Sequence, residues 1–193
     1  MIIGITGGTG CGKTTALQAV RELGGTVIDC DAVYHRLLEE DPALVREILT
    51  RFPAAEENGA LNRKKLGKLV FSDPDSLKDL NAITHRAVRK EVIRLLTPCP
   101  ELAAVDAFEL FDSGLAKLCT VTVAVTAPTE SRIRRLIARE GISREYALSR
   151  IQAQPSNETF SRKCSYTLCN DKASREEFYR ECLAFFRGII IMK

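Results

Sequence analysis

Gly7-Gly8-Thr9-Gly10-Cys11-Gly12-Lys13-Thr14 is the stretch of sequence that decides the fold, and it fits the pattern G-x-x-x-x-G-K-[ST] at every position. Glycines let backbone N–H groups turn inward and approach phosphate oxygens, and a helix that begins here points the positive end of its dipole at the same oxygens. Lys13 would reach the β- and γ-phosphates of a nucleotide, and the Thr14 hydroxyl could ligate Mg²⁺. The alternative is a glycine-rich turn with a purely structural role. A strand pattern before the stretch and a helix pattern after it favour a phosphate-binding loop.

The residues around this loop have the pattern of a strand–helix–strand unit. Residues 2–6 are an apolar run rich in β-branched side chains, which predicts a buried parallel strand. Residues 14–23 have helical spacing of leucine and valine, and residues 26–29 predict a second strand. Units of this kind have a right-handed crossover and belong to α/β folds.

The pattern changes after residue 31. As far as residue 100, helical patterns alternate with turn signals such as Asn58-Gly59, and no strand is predicted, so this block is interpreted as a helical insertion. The remaining predicted elements are strands at 102–105, 121–125 and 166–170, and helices at 129–140, 143–154 and 175–187. The sequence therefore predicts a three-layer α/β fold with a parallel sheet of about five strands and helices on both faces.

Composition narrows the class of protein. The 193 residues favour one domain, and a net charge of +3 is too small to indicate a nucleic-acid or membrane-surface protein. Two histidines are too few for most multi-histidine metal sites. No apolar run approaches the roughly 20 residues that cross a bilayer. The seven cysteines, odd in number and without C-x-x-C spacing, indicate a reducing compartment. We expect a cytoplasmic protein with no nucleic-acid or membrane partner, either a monomer or a weak homo-oligomer.

Two acidic residues, Asp29 and Asp31, lie at the end of the second predicted strand. In an open parallel sheet the carboxyl ends of the strands face the ligand crevice. Carboxylates there could orient an attacking hydroxyl or help to hold Mg²⁺. The alternative is that Asp31 only caps the helix that follows, and the residues by themselves leave the two interpretations open.

The chain resembles the dephospho-CoA kinases over nearly its whole length. Residues 4–15 are similar to the family's G-L-T-G-G-I-G-S-G-K-S-T, and residues 27–31 resemble its V-I-D-A-D. Residues 139–145, with Arg150 and Gln154, are similar to its lid signature R-D-G-L-S-x-E, R-I, Q. Shorter matches are His35, Leu61-Asn62-Arg63, Val70-Phe71, His85, Phe111–Leu115 and Asn170.

The resemblance implies a P-loop kinase fold like that of the nucleoside-monophosphate kinases. It implies a core of residues 1–31, 101–128 and 156–193, a helical acceptor subdomain at about 32–100 and a lid at about 129–155. The implied reaction is ATP- and Mg²⁺-dependent phosphorylation of the ribose 3′-hydroxyl of dephospho-CoA, the last step of coenzyme A synthesis.

The resemblance also implies roles for individual residues. Asp31 would orient or deprotonate the hydroxyl, and Lys13 and Arg139 would neutralise charge in the transition state. Implied nucleotide contacts are Gly8, Thr9, Gly10, Cys11, Gly12, Lys13, Thr14, Thr15, Arg139 and Asn170, with Thr14 as metal ligand. Implied acceptor contacts are Asp31, His35, Arg63, His85, Asp106 and Arg150.

Several of these residues also have an interpretation without a catalytic or binding role. His85 on an amphipathic helix could be structural, and Asp106 could be a buried carboxylate at a strand end. Arg139 and Arg150 could belong to a solvated basic face, because Arg132, Arg134 and Arg135 also crowd this part of the chain.

The sequence also departs from the family pattern at Arg86, Phe108, Glu109 and Ser165. Two other functions stay open on the residues alone. One is another small-molecule, nucleoside or nucleotide kinase, and the other is a non-catalytic nucleotide-binding regulator. A GTPase is disfavoured because the sequence has no N-K-x-D segment.

Overall fold

The computed structural model describes residues 1–98 and 100–191. In chain order, the strands and helices are β1 (Ile2–Thr6), α1 (Lys13–Glu22), β2 (Thr26–Asp29), α2 (Cys30–Glu40), α3 (Pro42–Arg51), β3 (Glu56–Glu57), β4 (Ala60–Leu61), α4 (Arg63–Phe71), α5 (Pro74–Leu96), β5 (Ala103–Asp106), β6 (Val121–Thr126), α6 (Thr129–Glu140), α7 (Arg144–Gln152), α8 (Asn157–Lys163), β7 (Tyr166–Cys169) and α9 (Arg175–Ile191). Short 3₁₀ turns lie at Pro53–Ala55 and Leu115–Leu118.

The main sheet of the described residues has five strands in the order β2-β5-β1-β6-β7. Strand β1 pairs in parallel with β5 on one side and β6 on the other, and β6 pairs in parallel with β7. The predicted parallel five-stranded sheet is therefore confirmed. Parallel strands end at the same edge, so the loop that follows β1 opens at the edge where β5 and β6 also end.

Both faces of the sheet are covered. Ile3 and Ile5 of β1 are fully buried against α1 and α9, where they share a core with Val20, Phe178 and Phe186. Burial of each such side chain contributes about 1.5–3 kcal/mol. Side chains alternate along a strand, so Thr6 faces the other side of the sheet, where its hydroxyl donates to the carbonyl of Phe108 at 3.0 Å. Phe108 packs edge-on against Phe160 of α8. The result is the predicted three-layer arrangement.

The chain divides into two compact units, which are described separately. The core unit is Met1–Ile28 with the described part of Pro98–Lys193, and the helical unit is Asp29–Thr97. The helical unit has its own apolar core around Leu44, Ile48 and Leu66. These boundaries lie three residues from those expected at 32 and 100, and the finer division with a lid at 129–155 stays a prediction.

Three elements differ from the sequence-based expectation. The prediction of no strand between 32 and 100 is wrong, because β3 and β4 form a two-residue antiparallel hairpin. Asn58 and Gly59 form its turn with φ of 53° and 80°, a pair typical of tight hairpins. Such short strands bury little and leave no alternating pattern in the sequence. The short helix α8 was also not predicted, and α9 continues to Ile191 beyond the predicted end at Arg187.

The helices of the described residues include none that is both long and apolar enough to span a membrane. The longest, α5, has 23 residues but is amphipathic. Its buried positions (Leu80, Thr84, Val88, Val92 and Leu96) recur every four residues and form a single stripe.

Candidate active site

The phosphate-binding loop ends at the N-terminus of helix α1. Gly12 is the N-cap, with φ of 101° in the left-handed region, and a Cβ there would collide with the side-chain amide of Asn170. Among the described residues no side chain caps this end, and the first turn holds no acidic residue. The first-turn N–H groups of Lys13 and Thr14 therefore face the space in front of the helix, where an anion is favoured.

Two of the predicted nucleotide-binding side chains lie at the start of α1. The ammonium of Lys13 donates a hydrogen bond to the carbonyl of Gly7 at 2.8 Å, so the lysine folds back across the loop. Thr14 is exposed, whereas Thr15 is buried beneath it. Lys13 is the cation placed over the loop, and Thr14 is the hydroxyl that remains accessible to a ligand.

Helix α6 and Gln154 hold the other side of the loop. Arg132, only 3% exposed, donates from Nε to the carbonyl of Thr9 at 2.8 Å and from its Nη2 to Oε1 of Gln154 at 3.2 Å. The same Oε1 accepts from the backbone N–H of Thr9 at 2.8 Å. Gly8 lets this network approach, because a Cβ there would collide with the Arg132 guanidinium. The conformation of the loop is thus fixed from outside the loop.

Arg135 and Asn170 form a second support. Arg135 donates to the carbonyl of Gly10 at 3.1 Å and to Oδ1 of Asn170 at 2.9 Å, and burial lowers the pKa of Arg135. Asn170, which follows β7 and is buried, donates from Nδ2 to the carbonyl of Cys11 at 2.9 Å. Its predicted nucleotide contact is not tested by this geometry, which shows Asn170 bracing the loop.

Sequence reasoning missed the roles of Arg132 and Arg135. Both lie in a segment crowded with arginines, a pattern that is also typical of a solvated basic face. A usable signal exists in their spacing, since Arg132, Arg135 and Arg139 lie at positions i, i+3 and i+7 of α6 and therefore share a face. Burial separates them: Arg132 and Arg135 bind the loop, while the side chain of Arg139 is 59% exposed.

The predicted lid arginines meet at one carboxylate. Arg139 donates from Nε to Oε1 of Glu140 at 3.1 Å, and Arg150 of α7 pairs with the other carboxylate oxygen. Hydrogen bonds from Arg139 and Arg150 lower the pKa of Glu140. Helices α6 and α7 also share a small apolar cluster that includes Leu136 and Ile151. Arg139 and Arg150 are therefore linked through Glu140, on two helices that pack against each other.

A cleft of about 370 Å³ opens beside the loop. Its lining includes Gly12 and Thr15 from the loop side, Arg134 and Arg135 from α6, and Lys172 from the segment after β7. Its size is within the range of small-ligand sites, and its positive lining suits a phosphorylated ligand.

Cys11, inside the loop, is fully buried. Burial raises the pKa of its thiol, against the opposing effect of the positive charges on Arg132 and Lys13. The position is therefore that of a small packing side chain.

The residues present fit a magnesium ion bound together with nucleotide phosphates. Mg²⁺ takes oxygen ligands, keeps several waters, and needs few protein groups when phosphates are present. Thr14 offers an accessible hydroxyl, and Asp106 offers a half-buried carboxylate at the end of β5, paired in register with Ile5 of β1. In the described residues no cluster of three or more His, Cys, Asp or Glu side chains forms a dedicated cage.

In the helical unit, the capping interpretation of Asp31 is wrong. Asp29 is the cap of α2: its Oδ1 accepts from the backbone N–H groups of Asp31 at 3.0 Å and Ala32 at 3.1 Å. Asp31 lies in the first turn of α2 and is exposed to solvent. The carboxylate of Asp31 is therefore not used for the cap.

The predicted acceptor residues of this unit are only partly brought together. Arg63 donates to Nδ1 of His35 at 2.8 Å, joining the start of α4 to α2. His35 and Arg63 both line a groove between α2, α3 and the β3–β4 hairpin, whereas His85 lies half-buried on α5 and is not part of that lining. The role of His85 stays a prediction.

Besides Phe108, which contacts Thr6 and Phe160, two other departures from the family pattern have structural partners. Arg86 on α5 pairs with Glu47 of α3 in the helical unit. Ser165 accepts a hydrogen bond from the N–H of Thr122, and its own N–H donates to the Thr122 hydroxyl at 3.0 Å. Ser165 therefore joins the start of β7 to β6, whereas Arg86 forms an exposed ion pair between α5 and α3.

A parallel sheet whose first strand leads into a Lys- and Thr-bearing glycine loop, braced by two arginines of α6, defines the class of P-loop nucleotide-binding proteins. The sequence profile of the dephospho-CoA kinase family matches residues 1–176. The chain belongs to this family. A dephospho-CoA kinase of Dehalococcoides mccartyi is 36% identical over 192 residues, covering 94% of this chain and 93% of that protein. A dephospho-CoA kinase of Thermus thermophilus is 39% identical over 174 residues, covering 88% and 83%.

Solved structures agree on the fold. A crystal structure from Thermus thermophilus superposes with a TM-score of 0.83 at 35% identity, covering 97% of this chain and 96% of that one. A shikimate kinase from Bacteroides thetaiotaomicron has a TM-score of 0.55 at 16% identity, covering 98% of both chains, which shows a shared fold alone.

Proposed function

We propose that this protein transfers the γ-phosphoryl group of ATP to the ribose 3′-hydroxyl of dephospho-CoA, giving CoA and ADP. The observation that carries the proposal is the braced loop at the start of α1, with Lys13 lying across it, in a chain that belongs to the dephospho-CoA kinase family. The relatives at 36% and 39% identity are named dephospho-CoA kinases, and the match to this chain covers most of their length.

ATP would bind with its phosphates in the loop and its nucleoside part toward the basic cleft. Apart from the N–H of Thr9, which donates to Gln154, N–H groups of the loop and of the first turn of α1 would contact the phosphates. Lys13 would leave the Gly7 carbonyl for the β- and γ-phosphates. Mg²⁺, when bound through Thr14 and through Asp106 or its water, would neutralise charge on the phosphates. Arg132 and Arg135 serve indirectly by holding the loop in shape.

Asp31 would act on the acceptor. Its carboxylate would orient the 3′-hydroxyl and receive its proton as the oxygen–phosphorus bond forms and the bond to the departing ADP oxygen breaks. Arg139 and Arg150 would exchange Glu140 for the transferring group and stabilise its charge. Catalysis of this kind consists mainly of positioning and electrostatic stabilisation.

The cellular setting is also part of the proposal. The seven cysteines, odd in number and without C-x-x-C spacing, support function in a reducing compartment such as the cytoplasm. A monomer or weak homo-oligomer, with no nucleic-acid partner, stays the expectation.

The test is a coupled assay of ADP release with dephospho-CoA as acceptor, run beside AMP, adenosine and uridine. We expect dephospho-CoA to give the highest kcat/KM and the product to carry its new phosphate on the 3′-oxygen by ³¹P NMR. ATP binding without acceptor-dependent ADP release would instead support a non-catalytic nucleotide-binding protein. Preference for uridine or AMP would support another kinase activity.

A further inference from the structure

Glu140, the last residue of α6, binds two arginines at once. Its Oε1 accepts a hydrogen bond from Nε of Arg139 at 3.1 Å and another from Nη2 of the same residue. Its Oε2 accepts from Nη1 of Arg150 on α7. Each carboxylate oxygen is therefore taken by a different guanidinium, and one negative charge lies between two positive charges that repel each other.

Both arginines lie close in the chain to a residue that binds the phosphate-binding loop. Arg139 follows Arg135 by four residues on α6, and Arg135 donates to the loop backbone. Arg150 precedes Gln154 by four residues, and Gln154 accepts a hydrogen bond from the loop backbone. Four residues of helix rise only about 6 Å along the axis. The two guanidiniums that meet at Glu140 are thus carried by segments anchored to the loop.

The position of Glu140 does not favour the stability of its helix. It lies in the last turn of α6, directly before Gly141, where the helix dipole presents its negative end. A carboxylate is disfavoured there, whereas Arg139 in the same turn is favoured. The ion pairs of Glu140 are also partly exposed to solvent, and such pairs stabilise a folded protein little. We therefore look for the effect of this carboxylate in the two arginines and not in the stability of the fold.

A phosphoryl group competes well for the same donors. It offers three acceptor oxygens and more negative charge than a carboxylate, and guanidinium groups bind both kinds of anion in the same geometry. A nucleotide whose terminal phosphoryl group reached Arg139 and Arg150 would have to displace Glu140 from them.

We propose that Glu140 is a displaceable counter-ion that makes the two arginines respond to the γ-phosphoryl group. It keeps Arg139 and Arg150 together in the nucleotide-free protein, releases them to ATP, and binds them again when only ADP remains. The inference rests on the proposed function, because it takes ATP as the ligand of the loop and both arginines as partners of its γ-phosphoryl group. Glu140 is in this sense a positioning residue, which acts through the arginines.

The test compares two nucleotides that differ only in the γ-phosphoryl group. Titration calorimetry with Mg²⁺ and without an acceptor gives the Kd of ATP and of ADP for the wild type and for Glu140→Gln. Glu130→Gln is the matched control, because Glu130 lies on the same helix and pairs with a different arginine, Arg144. Thermal melts report on the stability of each variant.

We expect Glu140→Gln to lower the Kd of ATP by about three- to tenfold, because two exposed ion pairs no longer have to be broken. The Kd of ADP and the melting temperature should stay close to those of the wild type, and Glu130→Gln should leave both Kd values unaltered. An unchanged Kd of ATP in Glu140→Gln would overturn the proposal. Equal tightening of ATP and ADP would also overturn it, since that is the general effect of removing one negative charge. Weaker ATP binding with a lower melting temperature would make Glu140 a structural residue.

A further comparison shows whether Glu140 acts through the arginines. In a protein that carries Arg139→Ala and Arg150→Ala, adding Glu140→Gln should leave the Kd of ATP unchanged, because the carboxylate no longer has partners to release. A tightening that persists in this background would contradict the proposal. These titrations contain no acceptor. They therefore still report on Glu140 if the ADP-release assay shows no phosphorylation of dephospho-CoA and the proposed function fails.

Discussion

Oε1 of Gln154 accepts the backbone N–H of Thr9 at 2.8 Å, although 145 residues separate the two in sequence. Arg132 donates to the same oxygen and to the carbonyl of Thr9, so one amide and one guanidinium hold both backbone groups of a residue inside the phosphate-binding loop. The N–H of Thr9 is thereby committed to protein rather than to a phosphate. The shape of the loop depends on a residue just beyond α7.

Loss of this contact should loosen the loop. Gln154→Ala removes the acceptor for both Thr9 and Arg132, and we expect about tenfold weaker ATP binding with a lower melting temperature. Gln154→Glu keeps the accepting oxygen and should recover most of the stability. Gln152→Ala, an exposed glutamine two residues away, is the control. Normal ATP affinity in Gln154→Ala would show that the loop holds its shape unaided.

Lys13→Ala should remove catalysis while leaving the fold intact. Within the part of the chain that the structure describes, the Lys13 ammonium donates to the carbonyl of Gly7. Its charge is expected to act where charge builds up on the phosphates. We expect kcat to fall by about 10²-fold or more, with a melting temperature close to that of the wild type. Lys117→Ala, at an exposed site, should have normal kcat. A variant at Lys13 that keeps more than about a tenth of kcat would contradict the assignment of the loop.

Asp31 and its neighbour Asp29 offer a comparison of catalysis with capping. Asp31→Asn keeps the shape of the side chain but removes its charge, and kcat should fall by about 10²-fold with little loss of stability. Asp29→Ala should cost about 1 kcal/mol of stability, because Asp29 caps α2. Steady-state kinetics and thermal melts on both variants give the two readouts. Near-normal turnover in Asp31→Asn would remove Asp31 from the catalytic residues.

Arg139 should matter for turnover and not for stability. Its side chain is 59% exposed and its partner Glu140 is a surface carboxylate, and such pairs stabilise proteins little. We expect Arg139→Ala to lower kcat by about tenfold or more with an unchanged melting temperature. Arg162→Ala, also exposed, serves as the control. A large drop in melting temperature with normal kcat would make Arg139 a structural residue.

Cys11 should be slow to react despite its place at a helix N-terminus. Burial raises the pKa of its thiol, so at a given pH less thiolate is present than for an ordinary cysteine, and the sulfur is covered. Alkylation with iodoacetamide, followed by mass spectrometry, should modify the exposed Cys169 well before Cys11, and the Cys11 rate should rise as the pH is raised. Modification of Cys11 at the rate of Cys169 would contradict this expectation.

Much of the core could be predicted because its signals are local. The strand Ile2–Thr6 is a short apolar run followed by glycines, and its bounds agree with those predicted. Helix α6 has the predicted bounds, ending at Gly141 with φ of 66°, which favours glycine. The β3–β4 hairpin was missed because two-residue strands carry no periodicity, although its Asn58-Gly59 turn was recognised.

By itself, the sequence determined the phosphate-binding loop, the parallel α/β class and the family, since each depends on residue types at fixed short spacing. Only the tertiary structure decided which of several similar charged residues holds the loop, which caps a helix and which is exposed to solvent. Arg132 and Arg139 are both arginines on one face of α6. Arg132 is buried against Thr9, whereas Arg139 is exposed beside Glu140. Asp29 and Asp31 are two residues apart, yet only Asp29 caps α2. Burial and hydrogen-bond partners come from residues distant in the chain, so spacing along the sequence cannot assign them.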